Sequence, residues 1–218
     1  MKVIVFGASG MIGQGVLREC LLASDVTDVL VVGRSPLGKT DRKLRELVHL
    51  DFTDFTSAAE QLSGYDACFF CLGVSSSGMS EADYTKITYG YTLAAANVIA
   101  KASPSSTFIY VSGAGSRGDE KGTMWARVKG RTENALFALP FKSFMFRPGG
   151  IQPLHGAVSK TPSYRMAYTA ATPFMPLLKA AGAITTTERI GLAMLNVARH
   201  GTPDRLIGTK QINALAKK

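Results

Sequence analysis

The sequence predicts an α/β fold, a doubly wound parallel sheet with a small irregular capping segment toward the C-terminus. Three observations carry that reading. Short β-branched runs alternate with longer stretches of helical spacing through the first two-thirds of the chain. Strands separated by helices need crossover connections, which make a sheet parallel and cover both its faces. A glycine-rich turn joins the first strand to the first helix, and beyond Arg147 prolines and glycines interrupt the alternation.

The elements follow in order. "KVIVF" (2–6) is a β-branched strand, and Met11 to Leu22 has apolar residues at helical spacing. "DVLVVG" (28–33), "LVHL" (47–50) and "YDACFFC" (65–71) are the next strands, with a short helix around Ser57 to Leu62 before the last of them. A long helix rich in small residues, Glu81 to Ala102, precedes the strand "TFIYVS" (107–112). The stretch "GTMWARVKGRTENAL" (122–136) opens a helix reaching about Leu139, and "KSFMFR" (142–147) closes the series. A final helix is expected over Thr186 to His200, with threonines to cap it and Ile190, Ala193, Met194 and Val197 on its apolar face.

Composition bounds the function. At 218 residues and 46% hydrophobic, the chain can bury one substantial core and reads as one domain over 1–218. No leader pattern opens it, and nowhere do about 18 apolar residues run unbroken as a spanning helix requires. The expectation is a cytoplasmic protein without stable membrane insertion. The net charge of +9 is dispersed, with no aromatic-interleaved basic helix, so no nucleic-acid partner is expected. Cys20, Cys68 and Cys71 fit a reducing compartment. Cys68 and Cys71 form a C-x-x-C, but residues three apart on a strand face opposite sides, so the two read as idle thiols. His49, His155 and His200 lie far apart in the sequence without ligand partners, and no metal site is expected.

Chemistry enters at "GASGMIGQG". Gly7, Gly10 and Gly13 stand between a strand and a helix, the context in which glycines let backbone approach a pyrophosphate held at a helix N-terminus. The cofactor expected is a dinucleotide, with Gly7, Ser9, Gly10, Met11, Ile12 and Gly13 around its phosphates. A chain preferring NAD ends its second strand with an acid that accepts the ribose hydroxyls. Here "VVGRSP" ends on Arg34 and Ser35. A guanidinium pairs with a 2′-phosphate that a carboxylate would repel, so NADP is expected over NAD.

The G-x-x-G-x-x-G spacing resembles the short-chain dehydrogenase/reductase superfamily. "VVGR", "LDFTD", "CLG", "YVSGAG", "VKG" and "RPG" extend the likeness over most of residues 1–151. The combination is similar to the superfamily's extended and atypical branches, which hold NAD-dependent epimerases and dehydratases, NmrA-like proteins and the Tat-interacting-protein oxidoreductases. The resemblance implies a Rossmann-like NAD(P)-binding fold. It places Asp51 and Phe52 at the adenine, Cys71, Leu72 and Gly73 beside the adjacent ribose, and Pro148 and Gly149 at the far end of the cofactor.

It also implies a Ser, Tyr and Lys arrangement for proton transfer. Ser112 and Lys129 stand where that arrangement needs them, but the tyrosine's place four residues before Lys129 holds Trp125. An indole N–H donates a hydrogen bond and does not exchange protons near neutral pH. Lys129 is expected to hold the nicotinamide ribose. Two readings stay open: an NADP-dependent oxidoreductase or epimerase-like enzyme on an unknown small molecule, and a nucleotide-sensing or partner-binding protein with little chemistry. Tyr89, Tyr91, Tyr110, Tyr164, Tyr168 and Ser116 are candidate replacements, with Tyr110 expected in the core. Residues 150–184 are expected to cap the substrate side. The apolar "PFMPLLKAAGAI" run there covers the cavity or forms an interface with a protein partner or a second copy.

Overall fold

A computed structural model of the chain describes residues 1–159 and 183–217. Its main sheet joins β1 (Lys2–Phe6), β2 (Asp28–Gly33), β3 (Leu44–Val48), β4 (Ala67–Phe70), β5 (Thr107–Val111), β6 (Lys142–Arg147) and β9 (Leu206–Gly208). The strand order is β3-β2-β1-β4-β5-β6-β9, and every pair is parallel. A parallel sheet covered on both faces explains why β1 and β4 are unbroken apolar runs rather than alternating ones. In β1, Val3 and Val5 enter one core while Ile4 and Phe6 enter the other.

The first core lies under α1 (Met11–Leu22), α5 (Thr187–His200) and α6 (Thr209–Leu215), which contribute Val16, Leu17, Met194, Val197 and Ile212. The second lies under α3 (Tyr91–Ala102) and α4 (Met124–Phe137), with Ala95, Ile99 and Leu136 buried against Phe70, Phe108 and Met145. Aromatic rings fill this side: Phe6 stacks on Phe70 at 4.9 Å and Phe108 on Phe141 at 4.9 Å. The chain winds outward from β1 to β3, then returns to lay β4 on the other side of β1. That reversal opens a crevice beyond the carboxyl ends of β1 and β4, where ligands of such sheets bind.

Several boundaries differ from the sequence expectation. The third strand is Leu44–Val48, and the apolar "LVHL" misplaces it because Leu50, past its end, is 77% exposed. As an edge strand β3 carries charge, and Arg45 pairs with Asp28 on β2. The helix expected around Ser57 is a single 3₁₀ turn at Thr56–Ala58. The long helix is interrupted: α2 (Glu81–Thr85) passes through a π turn (Lys86–Gly90) into α3. A two-stranded parallel sheet of β7 (Gly150–Gln152) and β8 (Ile184–Thr186), the edge strand β9 and helix α6 are additional elements. α5 starts where expected, and Thr186 Oγ1 accepts from the Arg189 N–H at 3.0 Å as its cap. Residues 160–182, most of the expected cap, lie outside the described residues. Among the described residues no helix is long and apolar enough to cross a membrane.

Candidate functional site

The glycine turn makes the floor of the crevice. Gly7 has φ +76°, and a Cβ there would stand 2.6 Å from the Leu72 nitrogen, so the first turn and the end of β4 meet only through glycine. The Gly10 N–H closes the turn on Gly7 O at 2.9 Å, and no side chain caps α1, which begins at Met11. Gly13 serves packing: its Cβ would fall 2.1 Å from Gly7 O, and it lines neither part of the cleft. The result is a helix N-terminus facing the groove over bare backbone, which favours an anion.

The groove has two adjoining lobes that share Gly10, Cys71, Leu72, Gly73 and Val74. The first, about 290 Å³, is bounded by Gly7, Ser9, Arg34, Ser35 and Phe52. Ile87 and Tyr91, set around the π turn, form a further wall; Tyr91 was a candidate only for the proton donor's role, and Ile87 was not among the candidates. A π turn shifts the side-chain phase within a helix, and such turns recur at binding sites. Arg34 is exposed and forms no ion pair with another described residue. Phe52 is only 2% exposed and meets Phe6, Phe55 and Tyr91. Asp51 lies outside the lining: its carboxylate accepts from the Thr53 hydroxyl and the Thr53 N–H, which hold it below the usual carboxylate range.

The second lobe, about 320 Å³, brings together Met11, Ile12, Ser112, Lys129, Pro148 and Gly149 from four separate stretches of chain. Ser75, Val111, Ile151 and Ser159 complete it beside the shared residues. The Gly149 N–H donates to Thr209 Oγ1 at 2.9 Å, tying this rim to α6. Lys129, on α4, donates from Nζ to Ser112 O at 2.9 Å and Val111 O at 3.4 Å. Burial brings its pKa down to about 8, against a partly offsetting pull from Glu133.

Ser112 is held from the other side. Its hydroxyl donates to Glu133 Oε1, the Ser116 hydroxyl lies 3.0 Å away, and the Gly113 N–H reaches the same oxygen at 2.6 Å. Glu133, 1% exposed, is clamped in turn by Arg147, whose Nε donates at 2.9 Å and whose Nη2 meets the second carboxylate oxygen. Glu133 and Arg147 were not among the candidates. Two signals were present: Glu133 stands four residues after Lys129 on the same helix face, and Arg147 ends a strand just before Pro148.

Trp125 lies outside both lobes. Its indole covers the turn after β5, so closely that a Cβ on Gly115 would sit 2.5 Å from the ring. Tyr110 is buried under Lys129, whose Nζ lies 5.6 Å from its ring centre, and burial raises its phenol well above the usual value. It packs in the core, as expected. Tyr91 borders the first lobe, Arg131 covers Tyr89 at 4.6 Å, and Tyr164 and Tyr168 lie outside the described residues. Cys68 is buried in the second core and Cys71 sits past the end of β4; burial raises both thiols, Cys71 to about 12.

A family model described as NAD(P)H-binding matches residues 7–140. Protein HTATIP2 of Rattus norvegicus is 29% identical over 153 residues, covering 68% of this chain and 62% of that protein. Protein FMP52, mitochondrial, of Debaryomyces hansenii is 27% identical over 158 residues, covering 69% and 67%. The match thus spans less than two-thirds of the rat protein. Among solved structures, the Bordetella bronchiseptica enzyme WbmF in complex with NAD+ superposes with a TM-score of 0.68 at 17% identity, over 99% of this chain and 76% of that one. A likeness at that identity concerns the fold.

Proposed function

Since the chain belongs to the NAD(P)H-binding family, as an atypical short-chain dehydrogenase/reductase with a Rossmann-like fold, we propose that it binds NADP(H) and reduces or oxidises a small carbonyl or alcohol. The cradle fits such a cofactor, because Gly7 and Gly10 leave backbone where a side chain would block a pyrophosphate. Arg34 and Ser35 take the 2′-phosphate, Phe52 and Tyr91 border the adenine, and Leu72 and Gly73 face the ribose beside it. Ser112, Lys129, Pro148 and Gly149 surround the nicotinamide end. When bound, the nucleotide supplies or accepts the hydride. Residues 1–218 work as one domain, with 150–184 on the substrate side. Three free thiols support a cytoplasmic, reducing setting.

The single observation that carries NADP over NAD is Arg34, a guanidinium on the wall of the first lobe with no carboxylate partner among the described residues. The test is Arg34→Asp. Loss of one charge-assisted contact removes about 1–3 kcal/mol from NADPH binding and leaves NADH affinity unchanged or better. An unchanged NADPH-to-NADH affinity ratio in the variant contradicts the assignment.

A second reading, a nucleotide sensor with little turnover, is favoured by one observation. Trp125 is seated on the Gly113–Gly115 turn in place of the phenol that the resemblance calls for. A screen of carbonyl substrates at saturating NADPH separates the two readings.

A further inference from the structure

If the cleft holds NADPH, a reduction there still needs a proton, and Trp125 does not provide one. The residues lining the second lobe narrow the choice. Met11, Ile12, Val111, Pro148, Gly149 and Ile151 carry no exchangeable side-chain proton. The Ser112 proton is committed to Glu133, with the Ser116 hydroxyl and the Gly113 N–H gathered on the same oxygen. Glu133 itself is sealed behind Ser112 and ion-paired to Arg147. Cys71 is an ionisable group at the edge of the lobe, and burial keeps it a thiol. The Ser75 and Ser159 hydroxyls on the rim are ordinary alcohols, far weaker acids than an ammonium. Among the described residues Lys129 remains, with its ammonium at the lobe wall and the carbonyls of Ser112 and Val111 fixing its position.

We infer that Lys129 is the proton donor of this cleft, acting directly on a carbonyl substrate rather than through a phenol. This rests on the nucleotide reading above. As a hydride adds to the carbonyl carbon, the C=O π pair moves onto oxygen. An N–H bond of Lys129 breaks and its proton forms the O–H of the product alcohol. The neutral amine left behind regains a proton from water. The groups facing Lys129 among the described residues are consistent with an ammonium able to let go: Tyr110 beneath it on β5 stays a neutral phenol, Cys71 across the lobe stays a thiol, and Glu133 is the one opposing charge on its own helix. Burial places its pKa near about 8, inside the range where an acid both holds and releases a proton at working pH.

The test has two arms. Competitive acetylation of the wild-type protein across pH, read by mass spectrometry at Lys129, should show half-maximal amine reactivity near pH 8, against 10.5 for an ordinary lysine. In the second arm, Lys129→Arg keeps a cation for the ribose but no usable acid. With phenanthrenequinone as the carbonyl probe, its kcat should fall by about 100-fold or more while NADPH affinity stays within a few-fold of wild type. A labelling midpoint near that of an ordinary lysine overturns the inference whatever the substrate. So does undiminished turnover in the variant, a rise in KM with kcat unchanged, or a nucleotide-bound wild type that leaves the quinone unreduced at every pH. Failure of wild-type protein to bind NADPH would instead undo the underlying reading, and the nucleotide titration registers that separately.

Discussion

Trp125 and Gly115 form a matched pair, since the indole occupies the space a Cβ at 115 would need. Replacing Trp125 with Tyr removes ring bulk from the turn after β5 and puts a phenol on the helix face that bears Lys129. Because Lys129 already supplies the proton and position 125 lies outside both lobes, the expected outcome is a kcat on carbonyl probes within about tenfold of wild type, short of the ~10²–10⁴-fold that a first general acid contributes, with NADPH affinity unchanged. Steady-state kinetics at saturating nucleotide checks it, and a gain of about 100-fold or more contradicts it. Lys129 also makes a pH prediction. Its folded pKa of about 8 lies below the ordinary 10.5, so between those values the unfolded chain binds more protons than the folded one. Stability from this group therefore rises with pH across that interval, and its cost is fully present below it. Urea titrations of Lys129→Met should show a flatter slope of stability against pH there than wild type. Glu133 is a third case: Glu133→Leu leaves Arg147 unpaired. The expected loss is about 3 kcal/mol, the low end for breaking a buried pair because the Arg147 side chain keeps 21% of its exposure. Chemical denaturation measures it.

At the scale of elements, two helices are held by glycines that admit another stretch of backbone. A Cβ on Gly130 would lie 1.7 Å from Arg117 O, and one on Gly13 2.1 Å from Gly7 O. In both cases the obstacle is main chain, which cannot rotate away as a side chain does. Gly130→Ala is expected to destabilise by about 1–3 kcal/mol or more as α4 shifts off the 117–118 turn, despite the better helix propensity of alanine. Thermal unfolding of the variant checks this, and an equal or higher midpoint contradicts it. The elements most legible in the sequence were β1, α1, β2 and β6, whose apolar periods are long and bounded by turns or charges. β3 was misplaced because its buried contacts are few and its apolar run extends past the sheet, where Leu50 faces solvent. β9 and α6 went unread because three residues of strand and seven of helix are too short for a period to show. The π turn before α3 was invisible for another reason: helical spacing continues on both sides of it, and the phase shift shows only in three dimensions.

For the molecule as a whole, alternation and the glycine turn were enough to anticipate the parallel sheet and the crevice beyond β1 and β4. Most of the candidate site was legible too. The glycine turn, Arg34, Phe52, Leu72, Ser112, Lys129 and Gly149 converge on the two lobes of one groove. Asp51 and Gly13 lie near it but not in its lining, the first turned to Thr53 and the second sealed against Gly7. The Glu133–Arg147 pair and the Tyr91 wall were not found, since each depends on tertiary contacts between elements distant in sequence. What these residues do together reduces to one claim, that the groove is an NADP(H) site selected by Arg34. Calorimetric titration of the wild-type chain with NADPH and with NADH, at the same ionic strength, tests that claim most directly. The account predicts one site per chain and NADPH binding tighter by about 1–3 kcal/mol, roughly fivefold to 150-fold in affinity. Equal affinity for the two nucleotides, or binding of neither, would contradict it.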